Sequence, residues 1–233
     1  ILAPLRRVKD AAEVAALRRA AQAADAVMSE ALALPLVGRT ESDVARQIGD
    51  MLIAHGHQRA DFVIVAGGEN SGSPHHIAGD RKLREGDALV LDFGGVLDDY
   101  FSDITRSVVL GEPSAEYGRV YEAVRQAQQA AFEAVRPGVS CQEIDRAARR
   151  VITEAGYGPY FIHRTGHGLG LDVHEEPYMV EGNTMALAPG MVFSIEPGIY
   201  LPGRFGVRIE DIVVVTDAGA ERLNTVGREL RLL

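Results

Sequence analysis

Asp92, Asp103, His167, Glu196 and Glu210 are the residues of this 233-residue chain whose types and spacing could do chemistry together. They stand in LVLDFGG (89–95), FSDITR (101–106), TGHGLG (165–170), FSIEPG (193–198) and VRIED (207–211). Each acid follows or interrupts an apolar, β-branched run that reads as a buried strand. Burying an ionised carboxylate without a partner costs several kcal/mol or forces a pKa shift. Any one of these acids alone fits a solvated or salt-bridged strand end; four together call for cations. A hairpin turning at Leu97–Asp98–Asp99 would set Asp92 roughly opposite Asp103, and one turning at Pro202–Gly203–Arg204 would do the same for Glu196 and Glu210. Opposed side chains on antiparallel strands lie about 4.5–5.5 Å apart at Cβ, so like charges there repel. Two acid pairs plus an imidazole make a cage for two divalent metal ions, which in hydrolytic sites sit ~3.5–4 Å apart. Four carboxylates balance that charge, and the chemistry expected is hydrolysis by activated water.

The elements that must carry these residues follow from periodicity. Residues 10–33 are Ala-rich with apolar positions every three or four residues, a long helix with Asp10 and Glu13 as its capping box. Thr40 caps a second helix that Gly56 stops, and 61–68 reads as a strand before the polar loop ENSGSPHHIAG. Residues 88–95 and 100–110 form the first acidic hairpin. The pattern then restarts: a helix over 114–135, a second capped by Ser140 and ending at Gly156, the stretch PYFIH, and strands over 190–200 and 207–215. Gly38 repeats as Gly138, Thr40 as Ser140, Arg46 as Arg146 and Gly56 as Gly156, while a slightly longer offset sets Asp92 on Glu196. An internal repeat decides architecture. Two ααβ-hairpin halves, about 10–112 and 113–220, would converge their acids on one site about a pseudo-twofold axis.

Composition narrows the function classes. A chain of this length with 46% hydrophobic residues can bury a real core, as one large domain or two small ones. A net charge of −9 disfavours a nucleic-acid partner, which needs clustered Lys and Arg. No apolar stretch reaches the ~18–20 residues of a membrane span, and no secretory signal is visible. The lone Cys141 fits a buried helix position in a reducing compartment, so a cytoplasmic location and no membrane association are expected. The chain opens on Ile1 rather than Met, as a processed or partial chain would. GHGLG (166–170) lacks the spacing of a nucleotide-binding loop. His55 and His57, at a helix C-terminus that suits cations, are assigned no chemistry.

With these residues placed, the chain resembles the metal-dependent aminopeptidases of the pita-bread (creatinase/aminopeptidase) fold, and among them the Xaa-Pro peptidases, prolidase and aminopeptidase P. The similarity runs from about Arg6 to Val226 and rests on LDFGG, SDITR, HRTGHGLGLDVHEEP (163–177), SIEPG and VRIED in order and spacing. It implies an α+β fold of duplicated halves with a curved antiparallel sheet around a dinuclear metal site, here one domain spanning 1–233. The leading domain usual in these enzymes is expected to be absent; it normally helps form the dimer and limits substrate length, so a homodimer is possible here and the length limit is open.

The resemblance further implies that Asp92 chelates one metal, that His167 and Glu196 bind the other, and that Asp103 and Glu210 bridge both. Glu196 would also shuttle a proton to the leaving proline nitrogen. His75 and His174 would act on the substrate or intermediate, and His163 would line the proline side. The residues alone do not separate His75 from His76. Arg208 lies two before Glu210, shares its strand face and is expected to orient a bridging carboxylate near the substrate. Oxygen-rich ligation with a single His favours Mn2+, with Co2+ or Zn2+ able to substitute. The activity implied is hydrolysis of the bond between an N-terminal residue and proline in short peptides with proline second. The alternatives are a methionine aminopeptidase with the same five ligands and a non-catalytic pita-bread binding protein.

Overall fold

In the computed structural model, which describes residues 3–233, a short helix α1 (Ala3–Arg7) leads into α2 (Ala11–Ala31). Asp10 begins α2 as a full capping box: its side chain accepts from Ala12 and Glu13 N–H, and the Glu13 carboxylate accepts from Asp10 N–H. The helix α3 (Glu41–Ala54) starts at Thr40, whose hydroxyl accepts from Asp43 N–H. Then come β1 (Arg59–Gly67), β2 (Ala88–Leu97), β3 (Tyr100–Phe101) and β4 (Ile104–Val109). The second half has α4 (Ala115–Ala134), α5 (Cys141–Glu154), β5 (Gly166–Gly168), β6 (Glu175–Met179), β7 (Val192–Ile195), β8 (Gly198–Leu201), β9 (Phe205–Arg208), β10 (Asp211–Val215) and β11 (Ala220–Arg222). Ser140 stands at the N-cap of α5 with extended backbone, but its hydroxyl makes no capping bond.

All strand pairs are antiparallel. The ladders form a four-stranded sheet of β1, β2, β3 and β4, a five-stranded sheet in the order β11-β10-β7-β5-β6, and a β8-β9 hairpin. An isolated bridge between Thr105 and Glu210 joins the halves. The strands expected over 190–200 and 207–215 are each interrupted. The ladders β7/β10 and β8/β9 keep one register (Ile195 faces Asp211, Gly198 faces Arg208), and the break falls on Glu196 and Glu210. Pro197 has no N–H to give, Glu196 N–H turns to Thr165 O (2.8 Å), and Glu210 N–H turns to Thr105 O (3.1 Å). The two acids thus sit where the sheet opens.

Several backbone bonds recur at equivalent positions in the two halves. Gly38 N–H binds Leu83 O and Gly138 N–H binds Leu187 O, both at 2.8 Å. Thr40 bridges Lys82 as Ser140 bridges Ala186. Alternation then sorts the strands. In β2, Leu89, Leu91 and Phe93 pack with Val27 and Met28 of α2 and Ile48 and Leu52 of α3. In the second half, Phe193, Ile195, Val207 and Ile209 pack with Val124 of α4 and Ile152 of α5. Each such side chain contributes about 1.5–3 kcal/mol on burial, and Phe93→Ala would cost about 3–5 kcal/mol. The residues between them, Asp92, Ser194, Arg208 and Glu210, therefore point to the opposite face.

Candidate metal centre

The first hairpin turns through Asp98 and Asp99, both at positive φ (52° and 67°), as a two-residue primed turn requires. That turn fixes the register and corrects the expected pairing. Asp92 lies across from Thr105, and Phe93 across from Ile104, so Asp103 is displaced along the strand from Asp92 rather than opposite it. Asp103 and Thr105 still share one face with Asp92, because they differ by two residues.

His167 occupies the middle of β5. Its Nδ1 lies 3.1 Å from Gly168 O. A carbonyl only accepts, so Nδ1 carries the proton and Nε2 is left bare toward the acids. Nε2 is 3.2 Å from Glu196 Oε1 and 3.7 Å from Asp103 Oδ2. Ser194 ties the two residues together: its hydroxyl accepts from His167 N–H (3.0 Å) and donates to Glu196 Oε1 (3.0 Å). Thr105 does the same for Glu210, donating from its hydroxyl to Oε2 at 2.6 Å. Ligand atoms of Asp103, His167 and Glu210 all lie within 4.8 Å of one another.

The electrostatics fit a cation. Asp92 Oδ1, Asp103 Oδ1 and Glu210 Oε1 are buried, and none has a hydrogen-bond partner among the described residues. Native interiors rarely leave such atoms unpaired. Burial, together with the charges of Glu210 and Asp92, pushes Asp103 well above the usual carboxylate range. Burial and the charges of Glu196 and Asp92 do the same to Glu210, and burial raises Asp92 against the pull of Arg208. Burial alone would raise Glu196 too; its hydrogen-bonding and cationic neighbours, Arg208 among them, outweigh that and bring it down to about 2. Four carboxylates and one bare imidazole nitrogen, with three orphaned oxygens, are a donor set that divalent ions would complete.

These acids line a cavity of about 710 Å3 whose apolar wall includes Phe62, Ile64, Val173, Tyr178 and Val180. The structure separates the two neighbouring histidines: His75 lines the cavity, whereas His76 turns away to Glu41 (2.8 Å). His174 opens on the cavity with its ring edge-on to His167, centroids 4.2 Å apart. Loss of solvation and the neighbouring His167 and Arg164 push its pKa down to about 4, so it is neutral near pH 7. His163 both lines the cavity and has a backbone partner: Nδ1–H donates to Arg164 O (2.7 Å), and Nε2 accepts from Tyr200 OH (2.9 Å).

Arg208 departs from expectation. Its guanidinium binds Asp92, not the Glu210 carboxylate, and also donates to Tyr200 OH (2.7 Å), Thr105 Oγ1 (3.3 Å) and Pro74 O (3.3 Å). The β9 ladder ends at Arg208, so Glu210 lies outside it. His57 departs too: it is buried against Ser102 Oγ (2.8 Å) and Leu52 O (3.2 Å), and burial lowers its pKa, so it is no helix-end cation. Thr105, Ser194, Tyr200 and Arg106 were not singled out by sequence, although all stand in or beside the quoted motifs. The signal for Arg106 was a lone cation inside an otherwise buried strand.

The arrangement has close counterparts. Residues 15–217 match the family model described as metallopeptidase family M24. The chain is 52% identical over 231 residues to the probable dipeptidase PepE of Mycobacterium tuberculosis, covering 99% of this chain and 62% of that protein. It is 40% identical to the Xaa-Pro dipeptidase of Pyrococcus furiosus, covering 99% and 66%. The crystal structure of dipeptidase PepE from Mycobacterium ulcerans superposes with a TM-score of 0.97 at 51% identity, covering 99% of this chain and 62% of that one. Prolidase from Pyrococcus furiosus superposes with a TM-score of 0.95 at 40% identity, covering 97% and 67%. The chain thus spans about 62% of the length of the PepE relatives it matches. With matched residues across nearly the whole chain and buried acids that call for divalent ions, the chain belongs to metallopeptidase family M24 and has its pita-bread fold.

Proposed function

We propose that this chain carries the catalytic centre of a two-metal exopeptidase that cleaves the bond between an N-terminal residue and proline. The observation that carries the reading is the set of three orphaned carboxylate oxygens beside the bare His167 Nε2, at one side of an apolar-walled cavity. The Xaa-Pro dipeptidase name of a relative 40% identical over 99% of this chain supports the substrate class. The same relative disfavours methionine aminopeptidase, and the presence of all five ligand residues disfavours a binding protein.

Asp92 would hold one ion, His167 and Glu196 the other, and Asp103 and Glu210 both. Such ions, when bound, polarise the scissile carbonyl and bring a water's pKa toward neutrality. Mn2+ fits the oxygen-rich donors best. Glu196, ionised at neutral pH, takes a proton from the attacking water and passes it to the proline nitrogen, assistance of a kind worth about 10²–10⁴-fold. Neutral His174, together with His75, contacts the substrate from the cavity wall, and His163 lines its proline side. Arg208 holds Asp92 in place, and Tyr200 OH couples Arg208 to His163. A reducing, cytoplasmic setting suits the single buried Cys141, and among the described residues no helix is long and apolar enough to cross a membrane.

The test is hydrolysis of a Xaa-Pro dipeptide and a Xaa-Pro-Xaa tripeptide by chelated protein, with Mn2+, Co2+ or Zn2+ restored. Cleavage that returns with metal and disappears in Glu196→Gln supports the reading. No cleavage of either substrate by protein shown to hold metal would overturn it.

A further inference from the structure

Glu41, the first residue of α3, is fully buried and lies outside the five-residue cluster. One oxygen of its carboxylate accepts from Gly67 N–H and Asn70 Nδ2, both at 2.9 Å. The other accepts from His76 Nε2 (2.8 Å), Asn70 Nδ2 (3.2 Å) and Gly79 N–H (3.3 Å). Burial alone would raise its pKa, but these hydrogen bonds outweigh it, so the anion is the favoured form.

Those partners bracket one loop. Gly67 ends β1, Asn70 stands in the turn after it, and His76 and Gly79 flank the loop's far end. Apolar packing does little to hold this loop: over 68–79 only Ser71 is buried, and Ile77 is 87% exposed. From the other side it is met by Arg208, which donates to Pro74 O, and by Gly206, whose N–H donates to Ser71 Oγ (2.9 Å). His75 stands between Pro74 and His76, and its side chain lines the cavity.

The second half shows that the architecture does not need a carboxylate here. Cys141 is the counterpart of Glu41, first in α5, and its N–H binds Met185 O (2.9 Å) as Glu41 N–H binds Arg81 O (3.0 Å). A thiol cannot gather four donors, yet the helix starts in the same way.

We propose that Glu41 is the positioning residue that aims His75 into the cavity, by closing both ends of the 67–79 loop on one carboxylate and holding His76 away from the cleft. The proposal rests on the hydrolase reading, because His75 is expected to act on the substrate. The experiment compares native protein, Glu41→Gln, His75→Ala and the double variant, all loaded with Mn2+. It reads kcat and KM on a Xaa-Pro dipeptide, the Mn2+ titration midpoint, and hydrogen exchange of the 68–79 amides. A group displaced by about 1 Å loses on the order of 10²-fold, so Glu41→Gln should lower kcat about 10- to 100-fold. On the His75→Ala background it should change kcat by less than about twofold, the signature of two residues acting as one. The 68–79 amides should exchange faster and the Mn2+ midpoint should hold. Equal losses on both backgrounds, or unchanged exchange, would overturn the proposal. Should Glu41→Gln fail to fold, Glu41→Cys, which copies position 141, and His76→Ala take its place under the same criteria. If native protein hydrolyses nothing, the hydrolase reading fails by itself, and the exchange measurement still decides whether Glu41 clamps the loop.

Discussion

Thr105 and Glu210 are joined twice, by Glu210 N–H to Thr105 O at 3.1 Å and by Thr105 Oγ1–H to Glu210 Oε2 at 2.6 Å. One residue from each half thus meets at the point where the sheets connect and the acids converge. The hydroxyl fixes one oxygen of Glu210 and leaves the other bare for a cation. Thr105→Val keeps the shape and removes that bond. Losing a partner that orients a metal-binding carboxylate lowers affinity about 10–100-fold, and an unpaired buried oxygen costs about 1–3 kcal/mol. Metal titration and thermal melting of the variant check this; an unchanged metal affinity would contradict it.

Arg106 supports the same junction from behind. It is 2% exposed and every nitrogen is paired: Nε to Gly227 O, Nη1 to Thr105 O and Glu210 O, and Nη2 to Val226 O and Asp211. An ammonium cannot span that fork. Arg106→Lys should therefore destabilise by about 3–5 kcal/mol, as breaking a buried pair does, and denaturant unfolding measures it. A loss within the range of an ordinary surface substitution would refute the fork's role.

The helices, the second hairpin turn and the repeat were legible in the sequence because each rests on local rules: the Asp10/Glu13 box, the Thr40 cap, the Pro202–Gly203–Arg204 turn and the alternation around Asp92. The displaced Asp103 was not, because it depends on the turn using two residues and not three. Nor was the break at Glu196 and Glu210, which arises from hydrogen bonds to Thr165 and Thr105 far away in the chain. Arg208 was read by its distance along the strand from Glu210, and the side chain instead crosses to Asp92 on the other half. The four acids and the imidazole line one cavity because they occupy the faces opposite the helix-packed residues.

Asp103 and Glu210 carry pKa values raised well above the usual range by burial and by each other's neighbours. Their protonated forms favour the metal-free fold, so that contribution is complete below the ordinary carboxylate pKa of about 4 and is lost as pH rises through the raised values. Metal ligation needs the carboxylates ionised, so binding must expel protons. Calorimetric titration with Mn2+ near neutral pH, repeated in buffers of different ionisation enthalpy, should show net proton release. No release would mean that the acids are already ionised together without a cation.

His174 meets the acid cluster through its ring packing on His167. His174→Ala should lower kcat by about 10²-fold, within the range of a lost acid–base or hydrogen-bonding group, while leaving metal affinity within about threefold. Steady-state kinetics and metal titration on one preparation separate the two effects. A parallel loss of metal would place His174 among the ligands instead.

The central claim is that two divalent ions sit among Asp92, Asp103, His167, Glu196 and Glu210. Anomalous diffraction at the manganese edge from Mn2+-soaked crystals tests it most directly. Two peaks ~3.5–4 Å apart within these side chains are the result expected. Peaks only at surface carboxylates, or none, would contradict the account.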